Sequence, residues 1–185
     1  MKDVKVILLH GNGGGKGSDN WLPWLKGELE KLNVKCLAPD MPDSELGRAK
    51  YWIPYLKDKL SADENTILVG HSTGAIAALK YAENSKLLGS ILVGGYYTDL
   101  GDETEKKSGY FDQPWGWKAI KDNQKWAVVF ASTDDPWIPI EEARFIKDRL
   151  GSEYHEFSDQ GHFGYDKDKK EFPELLRVLK QKLGK

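Results

Sequence analysis

The chain has 185 residues, of which 39% are hydrophobic and 30% are charged, and its formal net charge is −2. These values are typical of one globular domain spanning residues 1–185, and the lack of a long basic run argues against nucleic acid or an anionic membrane as a partner. The single cysteine, Cys36, excludes an intramolecular disulfide, and its apolar surroundings in the sequence predict a core position. Charged Lys2, Asp3 and Lys5 leave no apolar segment for a signal peptide, so we expect a cytoplasmic protein.

Short apolar runs alternate along the chain with segments of helical periodicity. The runs are mostly apolar and β-branched throughout, as expected of strands buried on both faces of a parallel sheet. Six strands are predicted, over Val4–Leu9, Val34–Ala38, Thr66–Val69, Ser90–Val93, Ala127–Ala131 and Glu153–Phe157. Helical apolar faces are predicted at Leu22/Leu25/Leu29/Leu32, at Leu46/Ala49/Ile53/Leu56/Leu60 and at Phe172/Leu175/Leu179/Leu183. Pro54 should kink or restart the second of these helices. This alternation predicts an α/β fold in which helices cover both faces of a parallel sheet.

The most informative motif is Gly-His-Ser-Thr-Gly over residues 70–74, which follows the strand-like run Thr66–Val69 and precedes a helix-like stretch. A strand, G-x-S-x-G and a helix form the nucleophile elbow of α/β-hydrolases, in which a tight turn exposes the serine hydroxyl. The glycines let the strand and the helix approach closely. Ser72 is therefore the predicted nucleophile. Taken alone, the pentapeptide would fit equally well a tight turn with a helix-capping serine.

A serine nucleophile needs a base and an acid, which α/β-hydrolases supply later in the chain and just after strands. Two aspartates, Asp134 and Asp135, follow the fifth predicted strand. The spacing to Pro139 favours Asp135 as the acid and leaves Asp134 to hold the turn. Gly-His follows the last predicted strand, so His162 is the predicted base.

The tetrahedral intermediate of acyl transfer also needs hydrogen-bond donors for its oxyanion. The backbone N–H of Thr73, beside the nucleophile, is one predicted donor. The glycine-rich loop His10–Gly15 should provide the other, with Asn12 preferred to Gly13. A phosphate-binding loop is disfavoured because the nucleotide-binding patterns would require other residues at these positions, such as glycine in place of Lys16.

The remaining histidines are predicted to be structural. His155 lies inside a strand-like run, His71 should pack beside the elbow, and His10 precedes a glycine in the turn after the first strand. None of them has a second nitrogen or sulfur ligand at metal spacing, so no metal and no cofactor is predicted.

The segment 94–125 is long for a connection between strands and is rich in aromatic and acidic residues, which is typical of a binding loop or lid. Four aromatic side chains could form the apolar wall of a substrate pocket: Tyr110, Phe111, Trp115 and Trp117. Three carboxylates could pair with a substrate ammonium: Asp99, Asp102 and Glu103. A helical crossover with an irregular start is the alternative interpretation of this segment.

Five stretches together resemble the retinoblastoma-binding protein 9 group of small serine hydrolases: His10–Gly15, Gly70–Ala77, Ser108–Phe111 with Pro114-Trp115, Ser132–Pro136 and Gly161–Phe163. The resemblance spans nearly the whole chain. It implies a minimal α/β-hydrolase with six parallel strands in the order 2-1-3-4-5-6, without a large cap domain. It also implies a triad of Ser72, Asp135 and His162 that acts on small esters and amides, including amino-acid esters and aromatic amino-acid amides.

One segment departs from that group. The L-x-C-x-E motif said to bind retinoblastoma protein corresponds here to Leu60–Glu64, with Ala62 in place of the cysteine. Binding of retinoblastoma protein is therefore not expected, and we expect a monomer whose partner is a small ester or amide. The alternative function is a non-catalytic interaction module on a hydrolase scaffold, since a fold does not fix a function.

Overall fold

The computed structural model describes residues 4–185, so Lys2 and Asp3 lie outside the described part of the chain. Six strands form one parallel sheet in the order β2-β1-β3-β4-β5-β6. The strands are β1 (Lys5–Leu9), β2 (Lys35–Leu37), β3 (Thr66–His71), β4 (Gly89–Val93), β5 (Ala127–Ser132) and β6 (Glu153–Phe157). The parallel sheet and its order are as predicted, and each predicted strand is found within one or two residues of its expected bounds.

The sheet is buried on both faces because successive side chains of its central strands enter two separate cores. In β1, Ile7 and Leu9 pack on one face, whereas Val6 and Leu8 pack on the other, and all four are fully buried. This arrangement explains why the strands have continuous rather than alternating apolar sequences.

Residues 4–185 contain seven α-helices. They are α1 (Leu22–Lys31), α2 (Ala49–Pro54), α3 (Thr73–Ala82), α4 (Glu103–Lys107), α5 (Trp117–Asp122), α6 (Ile140–Leu150) and α7 (Pro173–Leu183). Helices α1 and α7 contribute to the core on one face, and α2, α3, α5 and α6 contribute to the core on the other. The fold thus has the three predicted layers. Between β4 and β5 the described chain adds only the short helices α4 and α5, which together are too small to form a cap domain.

The predicted helix around Pro54 differs from expectation. It begins at Ala49 rather than at Leu46, and it does not restart at the proline. Instead α2 continues into a π-helical turn over Tyr55–Lys59, where the Leu60 N–H donates to the Tyr55 carbonyl at 3.0 Å. The wider turn provides a continuous path past a residue that lacks an N–H and crowds the preceding turn.

Two further features of the described residues follow from burial and hydropathy. Cys36 is buried in β2, and burial raises the pKa of its thiol to about 12, as expected of a core residue. None of the helices within residues 4–185 is both long and apolar enough to cross a membrane.

Candidate active site

Ser72 occupies the turn between β3 and α3 in a strained backbone conformation. Its φ is 55° and its ψ is −123°, a combination that residues other than glycine rarely adopt. The Ser72 N–H donates to the carbonyl of Val93 at 2.9 Å, which ties the turn to the end of the neighbouring strand β4. Such strain costs about 1–3 kcal/mol and persists where the surrounding structure enforces it, most often at functional sites.

The two glycines of the motif are required by close backbone contacts. A Cβ atom on Gly70 would lie 2.2 Å from the Gly74 carbonyl oxygen, and one on Gly74 would lie 2.5 Å from the Leu9 carbonyl oxygen. Both distances are far below van der Waals contact. The G-x-S-x-G pattern therefore has the steric basis that the sequence predicted.

His162 and Asp135 form a buried hydrogen-bonded pair. The His162 Nδ1 and Asp135 Oδ2 atoms are 2.6 Å apart, and the side chains are only 4% and 3% exposed. The other Asp135 oxygen, Oδ1, accepts from the backbone N–H groups of Trp137 at 2.9 Å and Ile138 at 3.0 Å. A carboxylate held in this way fixes the proton of the neutral imidazole on Nδ1, which leaves Nε2 as the basic atom.

Asp134 has a different set of partners. Its Oδ1 accepts from Ser132 Oγ at 2.5 Å and from the Gly161 N–H at 2.9 Å, and its Oδ2 pairs with Lys167. The hydrogen bond from Lys167, followed by that from Ser132, holds the pKa of Asp134 well below its usual range. This side chain links the loops after β5 and β6, in keeping with the turn-holding role predicted for it, and His162 is paired with Asp135.

His71 packs against His162 and is kept neutral by burial. Its Nε2–H donates to the His162 carbonyl oxygen at 2.9 Å, and the two ring centroids are 4.9 Å apart. Burial, with a smaller contribution from His162, lowers the pKa of His71 to about 3. His71 therefore fixes the backbone of His162, and the prediction that it packs beside the elbow agrees with this contact.

This buried ring predicts a loss of stability in acid. His71 binds a proton more tightly in the unfolded chain than in the folded protein, so its protonation favours unfolding. The stability of the folded protein due to neutral His71 is therefore complete above about pH 6.5 and is lost as the pH falls toward 3. A His71→Gln variant keeps a side-chain N–H donor but does not titrate. Between pH 6 and 4, the slope of the free energy of unfolding against pH should be smaller for this variant than for the wild type, by about 1.4 kcal/mol per pH unit. Urea unfolding at several pH values measures both slopes, and parallel slopes would contradict the assignment.

In the loop after β1, the backbone N–H of Asn12 has no hydrogen-bond acceptor among residues 4–185, whereas that of Gly13 has one. The Gly13 N–H already donates to the Glu45 carbonyl at 3.0 Å. His10 holds this loop, since its Nδ1–H donates to the Gly11 carbonyl at 2.7 Å and its Nε2 accepts from the Met41 N–H at 2.8 Å. The order of preference between Asn12 and Gly13 predicted from the sequence thus has a structural reason.

Thr73, the other predicted donor, is the first residue of α3. The first N–H groups of a helix have no intrahelical acceptor, and the helix dipole there favours negative charge. The Thr73 side chain is fixed separately, because its hydroxyl lies 3.1 Å from the Tyr96 hydroxyl.

Ser72, His162 and Asn12 line one cleft of about 790 Å³ at the carboxyl edge of the sheet. Its apolar lining comes from six residues: Leu46, Tyr96, Leu100, Trp137, Ile138 and Tyr165. Trp137 is 53% exposed, and its ring packs edge-on against that of His162 at 5.1 Å.

The four aromatics predicted to form a substrate wall do not line this cleft. Tyr110 is fully buried in the core, and Trp115 donates through Nε1 to the Tyr97 carbonyl at 2.8 Å. Phe111 and Trp117 pack around Trp115. These side chains pack the segment 94–125 against α3 and α6. Burying large rings in this way removes more apolar surface from water than leaving them partly exposed in a cleft. The later part of the segment matches the alternative interpretation, a helical crossover, whereas its first part, through Tyr96 to Glu105, contributes to the lining of the cleft.

Among the predicted carboxylates, the structure brings only Asp102 to the cleft. Asp99 accepts from the Gly101 N–H within its own turn, and Glu103 is paired with Lys106 on the surface. Glu105 was not selected from the sequence, yet it lines the cleft and is buried.

The apolar lining residues were also missed, although a signal existed for them. Tyr96, Trp137 and Tyr165 each follow the carboxyl end of a strand, at β4, β5 and β6. Position relative to strand ends is thus a better guide to the cleft lining than the density of aromatic residues, because loops at that edge of the sheet surround Ser72.

His155 lies in β6 and stacks on Phe130 with ring centroids 4.6 Å apart, in agreement with a structural role. Within the described residues, no group of three or more His, Cys, Asp or Glu side chains is arranged to hold a metal ion.

Comparison with known proteins identifies the family. Residues 6–181 match the family model described as serine hydrolase. The serine hydrolase RBBP9 of Rattus norvegicus is 44% identical over 182 residues, which cover 97% of this chain and 96% of that protein. The crystal structure of the YdeN gene product of Bacillus subtilis superposes with a TM-score of 0.89 and 26% identity, covering 98% of this chain and 100% of that one.

A more distant structure shares the fold alone. Est1E of Butyrivibrio proteoclasticus, solved with ferulic acid bound, has a TM-score of 0.74 at 12% identity and covers 100% of this chain and 91% of its own. The sheet order, the elbow at Ser72 and these matches agree with one another. The chain has the α/β-hydrolase fold and belongs to the serine hydrolase family, in the group of retinoblastoma-binding protein 9.

Proposed function

We propose that this protein hydrolyses small esters or amides through an acyl-enzyme intermediate, with Ser72 as nucleophile, His162 as base and Asp135 as the acid that orients it. The observation that carries the proposal is the buried 2.6 Å hydrogen bond between His162 Nδ1 and Asp135 Oδ2, on the cleft that Ser72 lines. A serine hydroxyl is a weak nucleophile at neutral pH, and an adjacent oriented imidazole is the usual means of activating it.

In the acylation step, Ser72 Oγ attacks the substrate carbonyl carbon while His162 Nε2 accepts the hydroxyl proton. The negative charge that develops on the carbonyl oxygen is stabilised by the backbone N–H groups of Asn12 and Thr73. Asp135 stabilises the imidazolium that forms. His162 then returns the proton to the leaving alcohol or amine as its bond to the acyl carbon breaks.

In the deacylation step, His162 removes a proton from water, and the resulting hydroxide attacks the acyl carbon. Collapse of the second tetrahedral intermediate releases the carboxylic acid and restores the Ser72 hydroxyl with the proton held by His162. The cycle consumes one water and needs no cofactor.

The size of the cleft favours small substrates. A volume of about 790 Å³ is within the usual range for small-molecule sites. The apolar side chains of Trp137 and Ile138 at its rim suit an apolar or aromatic group on the substrate. Together with the resemblance to the retinoblastoma-binding protein 9 group, this supports amino-acid esters or amides as the preferred class.

A series of p-nitrophenyl esters tests this proposal. Acetate and butyrate esters should be hydrolysed with kcat/KM at least about tenfold higher than the palmitate ester, because a cleft of this size leaves much of a long chain in water. Ser72→Ala serves as the control for background hydrolysis. Faster turnover of the palmitate ester would contradict the small-substrate proposal, and no turnover of any ester would favour a non-catalytic interaction module.

We expect no binding of retinoblastoma protein through residues 60–64. Ala62 replaces the cysteine of the motif and is only 9% exposed. Its carbonyl accepts a 2.6 Å hydrogen bond from the Tyr81 hydroxyl, so the segment is fixed against α3.

A further inference from the structure

Glu105 lines the cleft, and one oxygen of its buried carboxylate has no hydrogen-bond partner among residues 4–185. The residue is 8% exposed, and its Oε1 accepts from Asn12 Nδ2 at 2.8 Å. The other oxygen, Oε2, is buried and has no hydrogen-bond partner among residues 4–185. A buried carboxylate oxygen in that state is costly, so it calls for a ligand or a functional role.

The backbone around Glu105 is fixed and does not explain the unpaired oxygen. Asp102 caps α4 by accepting from the N–H groups of Thr104 at 2.7 Å and Glu105 at 3.0 Å. The Glu105 carbonyl in turn accepts from Ser108 Oγ at 2.6 Å. Glu105 therefore belongs to a capped helix rather than to an irregular loop.

The charge of the cleft is one-sided. Three carboxylates line it, those of Glu45, Asp102 and Glu105, whereas no lysine or arginine does so within the described chain. Burial raises the pKa of Glu105, and a cation beside Oε2 would favour its ionised form. The cleft is thus suited to a substrate that carries a positive charge.

Glu105 is also hydrogen-bonded to Asn12, a residue proposed to hold the carbonyl oxygen of the substrate. The Glu105 carboxylate accepts this hydrogen bond from the Asn12 side chain and interacts with the Tyr96 side chain. The Tyr96 hydroxyl in turn lies 3.1 Å from the Thr73 hydroxyl. Asn12 and Thr73 are the two proposed oxyanion donors. Glu105 is thus linked through side chains to both proposed donors, and the α-amino group is the charged group of an amino-acid ester or amide that lies nearest to its carbonyl oxygen.

We infer that Glu105 binds the α-ammonium group of the acyl part of the substrate through its carboxylate, and so makes the enzyme selective for α-amino esters and amides. This inference rests on the proposed hydrolase function and deepens it. It assigns the cation-binding role to Glu105 rather than to Asp99, Asp102 or Glu103.

A positioning role through Asn12 is the competing explanation, and a ratio of rates separates the two. Loss of a positioning contact slows every substrate alike, whereas loss of an ammonium contact slows only the substrate that has the ammonium. Glu105→Gln keeps the acceptor for Asn12 and nearly the same volume but removes the charge. Glu103→Gln is the matched control, since it removes one charge from the exposed surface of the same helix.

The test compares L-phenylalanine methyl ester with methyl 3-phenylpropionate, which differs from it only by lacking the amino group. In the wild type, kcat/KM should be higher for the amino ester. The ratio of the two kcat/KM values should fall about 10- to 100-fold in Glu105→Gln, as expected for the loss of one charged hydrogen bond, and should be unchanged in Glu103→Gln. An unchanged ratio in Glu105→Gln, or equal rates for both esters in the wild type, would overturn the inference.

Binding to Ser72→Ala gives a second readout that does not depend on turnover. Calorimetry should show tighter binding of L-phenylalaninamide than of 3-phenylpropanamide, and the difference should disappear when Glu105→Gln is added. Equal affinities before that addition would refute the role of Glu105 even if the hydrolase proposal holds. A Glu105-dependent difference in a protein that hydrolyses nothing would instead refute the hydrolase proposal alone.

Discussion

Ser72→Ala should lower kcat/KM for a small ester by about 10⁴- to 10⁶-fold while the protein stays folded. Removal of Oγ eliminates the atom that forms the acyl bond, and the remaining groups can only bind and polarise the substrate. Because alanine is smaller than serine and this residue makes its backbone contact through its N–H, the elbow should keep its shape. Steady-state kinetics and a thermal melt measure the two effects, and unchanged hydrolysis would remove Ser72 as the nucleophile.

Ser72→Gly is a control that also reports the backbone strain. Both variants lack the hydroxyl and should be equally inactive. Glycine tolerates the positive φ of 55°, so Ser72→Gly should be more stable than Ser72→Ala by about 1 kcal/mol, even though glycine is the more flexible residue in the unfolded chain. Equal or lower stability of the glycine variant would argue against strain at the elbow.

Asp135→Asn should lower kcat by about 10³- to 10⁴-fold, whereas Asp134→Asn should lower it by less than about tenfold. An asparagine at 135 can present its amide N–H to His162 Nδ1, which favours the wrong tautomer of the ring and removes the charge that stabilises the imidazolium. An asparagine at 134 can still accept from Ser132 and Gly161, and it loses only a partly exposed pairing with Lys167.

These two variants are matched because they change neighbouring residues in the same way. Steady-state kinetics with one short-chain ester measures both. A greater loss of activity in Asp134→Asn than in Asp135→Asn would contradict the proposed acid, and comparable stability of the two variants would show that the difference lies in the chemistry.

Much of the architecture could be predicted because burial leaves a strong pattern in the sequence. A strand buried on both faces, such as β1, must be apolar throughout, and the elbow glycines are required by backbone contacts that tolerate no Cβ. Asp135 and His162 follow the ends of β5 and β6, so the topology alone brings them to one edge of the sheet.

The lining of the cleft could not be predicted in the same way. Glu105 lies in a charged helix whose other acidic residue, Glu103, is exposed, and it is buried where α4 meets the loop after β1. Likewise, the spacing of the aromatic residues in segment 94–125 does not distinguish those that are buried in the core from those that line the cleft. The π-helical turn after Pro54 could not be predicted either, because local propensity favours a break at that residue.

The most direct test of the account is to label the protein with a fluorophosphonate and locate the adduct by peptide mass spectrometry. Such a probe reacts with a serine hydroxyl only when a neighbouring base and oxyanion donors activate it. We predict one adduct, on the peptide that contains Ser72, with labelling that is lost in Ser72→Ala and strongly slowed in Asp135→Asn but not in Asp134→Asn. An adduct on a different residue, or none on the folded wild-type protein, would contradict the assignment of Ser72, His162 and Asp135.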